Sequence, residues 1–572
     1  MKAALLALLV GGLSLAPAPM APQSLRLRMT LNGLPRVQWP TDSTYIGAFR
    51  LPAGNGTDSF NDSDAPMAGA VVSNGGCASG QSIVLGGTNS SGTTANKGTF
   101  AEVCVPATIN DPTSVGLAGL TSGTMAQNFV DLSNGIVNTT WSGGGVRPWS
   151  TGVPFGSNFI GASELRYASC NDIPQAFWVS SMTFSNASSA TGAYTPNSST
   201  CARIIAGHFM FSVPSGYQTS LGCKVLSGTG AQSIIGSASA GPSVWCIDAD
   251  TLATQPATST LITVTALSEY PTGHQRLGAG DWDGSCPTCI ATNEVQDGVT
   301  VPTYTITDPR HGGSTSYIIA FSQEDWLRGG FFPAGYRTVI TTGTKGLTGW
   351  CYGDGESSQT TPKPASTGGL GSGSNASTNS AGTQITLPNQ NTAQWATDQR
   401  FIELDNQTTP NFFTAGGGHP GVARITGSGN SGTATAYVTV TATAAFPGNL
   451  TSQVWRVSPD FYCYDPESSD KGTHSYPYVE TLYAYDVNDL LSVKTGALQP
   501  WQVAPYAEWP LSSSSSIMAF VGPSNSRGRR IISAAWGSSP CPGQSGGSCV
   551  YFSTNGADTT GPKPIVHVFK LR

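Results

Sequence analysis

The sequence predicts an all-β fold, and three observations carry that prediction. No long window keeps apolar residues at the i, i+3, i+4, i+7 spacing of an amphipathic helix. Gly, Pro, Asn or Ser interrupts the chain nearly every ten residues, and between the interruptions lie short runs rich in β-branched and aromatic side chains. With 70 Gly and 38 Pro the chain is turn-rich, while 13 Trp, 18 Tyr and 21 Phe spread along its length supply apolar mass that a disordered chain lacks.

In chain order the expected strands are 81–85, 99–106, 176–184, 203–213, 243–247, 317–321, 338–342, 433–443, 481–485, 530–535 and 565–571. Only Val487–Lys494 has the pattern of a short helix. A pairing recurs among these runs. An apolar run with Gly (82–87, 204–209) is followed by a second run that leaves through a polar turn with Pro or Asp (101–109, 210–216, 243–252, 481–490). Such alternation reads as the blades of a β-propeller whose repeats have diverged; a β-sandwich with irregular loops shares the composition and is the alternative.

Residues 44–51 and 565–571 both alternate as strands do, so one strand from each end is expected to share a blade, closing the ring and removing its free edge. At roughly 70 residues per blade with long loops, the ring is expected to hold about seven blades. The tract 355–384 is rich in Gly, Ser, Thr and Asn, and 426–443 runs from a flexible start into a Thr/Val strand. This marks 355–460 as an insertion, either a surface flap or a β-hairpin arm. The resulting division is 1–40 as an apolar leader or docking arm, 41–354 as the first part of the propeller, 355–460 as the insertion, and 461–572 as the last part with ring closure.

Met1-Lys2 and the apolar run from Ala3 to Val10 have the basic start and short apolar centre of a secretory signal, too short to span a bilayer. Ala16, Ala18 and Ala21 are each followed by Pro, which is unfavourable just after a scissile bond and leaves Ser14 as a site of cleavage. A retained segment would instead dock the protein in an assembly. Either route gives an extracellular location, by export or on a virion or other surface assembly.

The 12 cysteines fall mostly in local pairs, not in two CxxC units with accompanying His, which favours disulfides over zinc. The expected bridges are Cys77 to Cys104, Cys170 to Cys201, Cys223 to Cys246, Cys286 to Cys289 and Cys541 to Cys549, with Cys351 to Cys463 tying the ends of the insertion; Cys286 and Cys289 have two free thiols in a loop as their alternative.

Charge is sparse: 27 Lys+Arg and 33 Asp+Glu make 10% of the chain, against about a quarter in soluble domains, and the net charge is −6. This offers no cationic surface for nucleic acid, which is excluded as a partner. Asp281-Trp282-Asp283-Gly284 has the alternate carboxylates that begin a calcium loop, but Cys286-Pro287-Thr288-Cys289 follows where further oxygen ligands belong. No metal site is assigned, and calcium is the one cofactor that this turn raises. Asp281, Asp283, Arg310, His311, Glu324, Asp465 and His474 are the candidates for chemistry, the carboxylates as acid and base on a glycosidic bond and the histidines as proton carriers. Their alternative role is to satisfy backbone groups in turns between strands. No GxSxG, HExxH, P-loop or dinucleotide motif occurs in a strand-to-helix setting. Trp282, Trp326, Tyr336, Trp350 and Tyr352 lie in Gly/Pro-rich segments where a flat ring can stack on a sugar or a protein partner, or pack between blades.

The segments Tyr45 to Pro52, His474 to Tyr478, Tyr483 to Asp486 running on to Pro500-Trp501, and Pro564 to Leu571 resemble a group of uncharacterised propeller-like proteins of bacteria, tailed phages and metagenomic sequences. The likeness covers the start of the fold and roughly its last fifth. It implies the fold and the ring closure, and no activity. Together these readings point to a non-enzymatic extracellular or virion-associated structural or adhesion protein that binds a protein assembly or a surface glycan through its loop face, as a homo-oligomer or particle component. The alternative is a secreted glycan-active hydrolase or lyase on the same fold.

Overall fold

The computed structural model describes residues 33–54, 58–60, 67–89, 98–135, 149–164, 176–184, 194, 208–229, 243–269, 289–296, 299–308, 313–318, 326–346, 351–352, 363–364, 371–397, 401–405, 421–440, 446, 448–458, 462–463, 473–474, 478–511, 531–554 and 563–572. Antiparallel sheets dominate, as the sequence predicts, with a few short helices between strands.

Five sheets form the body. Sheet one runs outward through Met67–Ser73, Gln81–Gly86, Thr99–Cys104 and Thr124–Asp131. Sheet two holds Trp149–Phe155, Asn158–Glu164 and Ala176–Ser181, extended by an isolated bridge from Phe177 to Tyr194. Sheet three holds Phe209–Ser212, Val225–Thr229, Ser243–Ile247 and Val264–Ser268. Sheet four holds Trp326–Phe331, Thr338–Gly346, Tyr478–Asp486 and Ala507–Pro510. Sheet five holds Ile531–Gly537, Ser548–Thr554 and Ile565–Leu571, and its fourth strand is Ser43–Arg50 from the other end of the chain.

The first strand of each sheet lies beside the first strands of two others, in the cycle one, two, three, four, five and back to one. The last step is a parallel bridge from Ala70 to Trp536. Side chains repeat the cycle, because each sheet buries apolar residues against the next. Val84 and Phe100 meet Phe159 and Trp178 between sheets one and two, and Val153 and Ile160 meet Met210 and Trp245 between two and three. Phe211 and Leu226 meet Val339 and Tyr483 between three and four, and Phe331 and Leu482 meet Val550 and Phe552 between four and five. Ile83 and Val103 meet Tyr551 and Val568 between five and one. Fully burying one such side chain is worth about 1.5–3 kcal/mol, so no sheet is stable without its neighbours. Five sheets, not about seven, close the cycle among the described residues.

The cycle is tight at its centre. A Cβ on Gly69 of sheet one would collide with the carbonyl oxygen of Met210 in sheet three, so two inner strands that are not neighbours touch across the axis. Only glycine allows that approach.

The 355–460 insertion is neither a flap nor a simple hairpin arm. Short ladders pair Cys351 with His474 and Lys363 with Cys463, continuing outward from the Gly346–Tyr478 pair of sheet four. Beyond them lie strands joined in the order Gly421–Arg424, Phe401–Asp405, Gln453–Ser458, Gly371–Thr378, Gln384–Thr386, Tyr437–Thr439 and Gly427–Gly429. Their own core holds Ile385, Trp395, Ile402, Val438 and Trp455. The Gly/Ser tract therefore supplies a central strand, and the Trp455 indole lies where a side chain on Gly373 would be.

Residues 35–39, inside the expected leader, are bound to sheet four. Arg337 N–H donates to the Pro35 carbonyl at 3.0 Å, Val37 N–H donates to Thr338 Oγ1 at 3.0 Å, and the Tyr506 hydroxyl donates to the Val37 carbonyl at 2.8 Å. Trp39 packs in the core between sheets four and five. Val487–Lys494 is the expected helix, with Asp486 as its N-cap accepting from Asn488 N–H at 2.9 Å.

Candidate functional site

Strand direction sorts every connection onto one of two rims. The antiparallel order places the start of each first strand, the end of each second and the start of each third on one side, here the front rim. The opposite ends meet at the back rim.

Among the described residues, back-rim connections are packed and fastened. The turn 74–80 carries Cys77, bonded to Cys104 at the end of the third strand of sheet one, and 538–547 carries Cys541, bonded to Cys549. Ser215–Leu221, Ala249–Ala253 and Val487–Lys494 are short helices that bury Tyr217, Leu252 and Leu490. The front rim carries the two longest connections, 269–325 between sheets three and four, and 347–477 between the second and third strands of sheet four. In the first of these, Cys289–Gln296, Val299–Asp308 and Gly313–Ile318 form a three-stranded sheet whose middle strand lies beside Gly421–Arg424 of the second. The two insertions therefore share one face and touch.

Nearly all the candidate residues belong to these insertions. Asp281, Trp282, Asp283, Arg310, His311 and Glu324 fall in 269–325, and Trp350, Tyr352, Asp465 and His474 fall in 347–477, while Trp326 opens the inner strand of sheet four at the front rim. Asp281, Trp282, Asp283, Arg310, His311, Glu324, Trp350 and Asp465 lie outside the described residues. The ladder register brings Tyr352 and His474 to adjacent rungs at the root of the second insertion, opposite Thr473 and Cys351. Tyr336 is the exception. It sits in the back-rim turn after Phe331, its hydroxyl donating to the Arg572 carbonyl and its own carbonyl accepting from Tyr217, so it does not join the others. Among the described residues no group of three His, Cys, Asp or Glu is placed to hold a metal ion.

The cysteine expectations divide. Cys77–Cys104 and Cys541–Cys549 are bonded as expected. Cys223 and Cys246 are two buried free thiols, not a disulfide, and they donate to the Val225 and Gly222 carbonyls. The ladders place Cys351 opposite His474 and Cys463 opposite Lys363, and the bridge expected between the two lies outside the described residues. Cys289 opens a strand opposite Ile306, and Cys170, Cys201 and Cys286 lie outside the described residues.

Three buried polar groups were not legible as special in the sequence. Glu102 accepts from Asn74 Nδ2 at 2.9 Å and from Ser82 Oγ and Gln127 Nε2, three neutral donors that hold a carboxylate inside sheet one. Asp486 receives Arg36 Nε at 2.6 Å, and Arg337 Nε lies 3.6 Å away. His567 is fully buried in the closing strand, and burial pulls its pKa down to about 3. All three join segments that the fold, not the sequence order, brings together. No protein-family model matches the chain, and no curated protein sequence is similar to it.

Proposed function

We propose that the chain is a five-bladed β-propeller that acts as a non-enzymatic, extracellular recognition protein, carried on a cell or particle surface and binding a protein partner or glycan through its front rim. The carrying observation is the asymmetry of the rims. Short, helix-filled and disulfide-fastened connections close the back, and both large insertions leave from the front. Binding surfaces concentrate on loops held by a rigid scaffold, and here the scaffold spends its longest loops on one side. The disulfides suit an oxidising location outside the cell. Aromatic residues of the insertions, Trp282, Trp350 and Tyr352 with Trp326 at their base, supply the flat faces for stacking on sugar or protein.

The test removes 347–477 and joins Gly346 to Tyr478 by an Asn-Gly turn, which the existing strand pair accommodates as a hairpin. The shortened chain should keep its β-sheet circular dichroism and cooperative melt while losing retention on the polysaccharide fractions or particle surfaces that hold the full chain. Unchanged retention would overturn the assignment of the front rim. Release of new reducing ends or unsaturated sugars by the full chain would replace the binding role with glycan cleavage.

A further inference from the structure

Sheets one and three place a cysteine pair at matching positions. In sheet one, Cys104 on the third strand stands opposite Ser82, the second residue of the second strand, and bonds to Cys77 in the back-rim turn just before that strand. In sheet three, Cys246 on the third strand stands opposite Leu226, again the second residue of the second strand, and faces Cys223 in the back-rim segment just before it. The two sites share strand order, rung and rim. They differ in that one pair is joined and the other is two thiols.

We infer that Cys223 and Cys246 are a second back-rim disulfide site, closed by a small-molecule disulfide of the glutathione type when the protein matures in an oxidising compartment. The surroundings hold the two cysteines in place. Cys223 and Cys246 are 7% and 5% exposed, inside the core shared by sheets three and four. Their sulfurs lie 3.7 and 3.8 Å from the Val225 and Gly222 carbonyl oxygens. The αL conformation of Gly222, which ends the helix Ser215–Leu221, turns the chain back so that Cys223 reaches Cys246. Lys494 lies across Gly222, with Nζ 3.7 Å from where a Cβ would stand.

The thiolate of one cysteine displaces one thiolate from the oxidant and forms a mixed disulfide; the other cysteine then gives up its proton and attacks that sulfur, forming the Cys223–Cys246 bond and expelling the second thiolate. Two electrons pass to the oxidant, and the two protons lost by the cysteines end on the two glutathione thiols. The closed bond ties the helix Ser215–Leu221 to the third strand of sheet three, fastening the rim opposite the insertions. It stands on the matched geometry and not on the binding role.

The full chain, equilibrated in a glutathione buffer that keeps Cys77–Cys104 and Cys541–Cys549 closed, is denatured, alkylated and digested without reductant. The expected result is one peptide pair joined through Cys223 and Cys246, and intact Cys223→Ala/Cys246→Ala protein should melt several degrees below the oxidised chain. Quantitative alkylation of both cysteines while the two other bridges are closed would overturn the inference, as would either cysteine joined to a different partner. Front-rim retention measured on the same samples fails or survives independently of these results.

Discussion

The Tyr45 hydroxyl lies 3.0 Å from His567 Nδ1, joining the first strand of the chain to the last across the ladder that closes sheet five. Thr554 Oγ1, which donates to the Ile565 carbonyl, lies 3.3 Å from His567 Nε2. With its hydroxyl proton so used, Thr554 accepts from Nε2–H, which leaves Nδ1 to accept from Tyr45. The ring is neutral and has no solvent to receive a charge.

Acid should therefore weaken the closure. The folded pKa of His567 is about 3 against 6.5 for the unfolded chain, so between these values the unfolded state takes up a proton that the folded state does not. The stability tied to this residue is fully present above pH 6.5 and is lost as pH falls toward 3. Over that window it amounts to a few kcal/mol. His567→Gln should melt lower at pH 7 but lose less on going to pH 4.5 than the parent, as read by urea midpoints at both pH values.

Phe569 is 3% exposed and is ringed by Trp39, Tyr45 and Phe552 at centroid distances of 5.2, 5.0 and 5.6 Å. Phe569→Ala should cost about 3–5 kcal/mol in urea unfolding. Tyr45→Phe keeps the ring and loses the bond to His567, so about 1 kcal/mol is expected.

Asp486 caps one helix and holds Arg36 from the N-terminal segment, whose guanidinium also covers the Tyr506 ring at 4.8 Å. Asp486→Asn should cost about 3 kcal/mol, at the lower end for a buried pair because Arg36 is partly exposed. It should also open the 33–42 segment to trypsin at Arg36, seen as an early cleavage product absent from the parent.

Deleting the last eight residues removes the strand between Ser548–Thr554 and Ser43–Arg50. The truncated chain should melt well below the parent and aggregate through the edge it exposes. An unchanged melt would mean that the two ends do not carry the closure.

What the sequence shows and what it hides follow from the range of the interactions. The strand Ile565–Leu571 is legible because alternate residues face different cores, Val566 and Val568 toward sheet one and Phe569 and Leu571 toward sheet four. The helix Val487–Lys494 is legible because its apolar spacing, which buries Val487, Leu490 and Leu491, is local to the segment. The strand Gly371–Thr378 is not, since its place is set by pairing with Gln453–Ser458 and by the Trp455 ring over Gly373, both distant along the chain. Among the described residues five sheets, not about seven, close the cycle, because 269–325 and 347–477 take up length without adding sheets to it. For the candidate site, residue types show candidates but not their gathering; strand direction places the insertions on one rim and sends Tyr336 to the other.

Hydrogen–deuterium exchange of the full chain, alone and bound to the polysaccharide fraction or particle that retains it, tests the proposed binding through the front rim most directly. Protection on binding should fall in peptides from 269–325 and 347–477, with the back-rim segments 105–123, 248–263 and 487–506 unchanged. Protection centred on those back-rim segments, with the insertions unaffected, would contradict it.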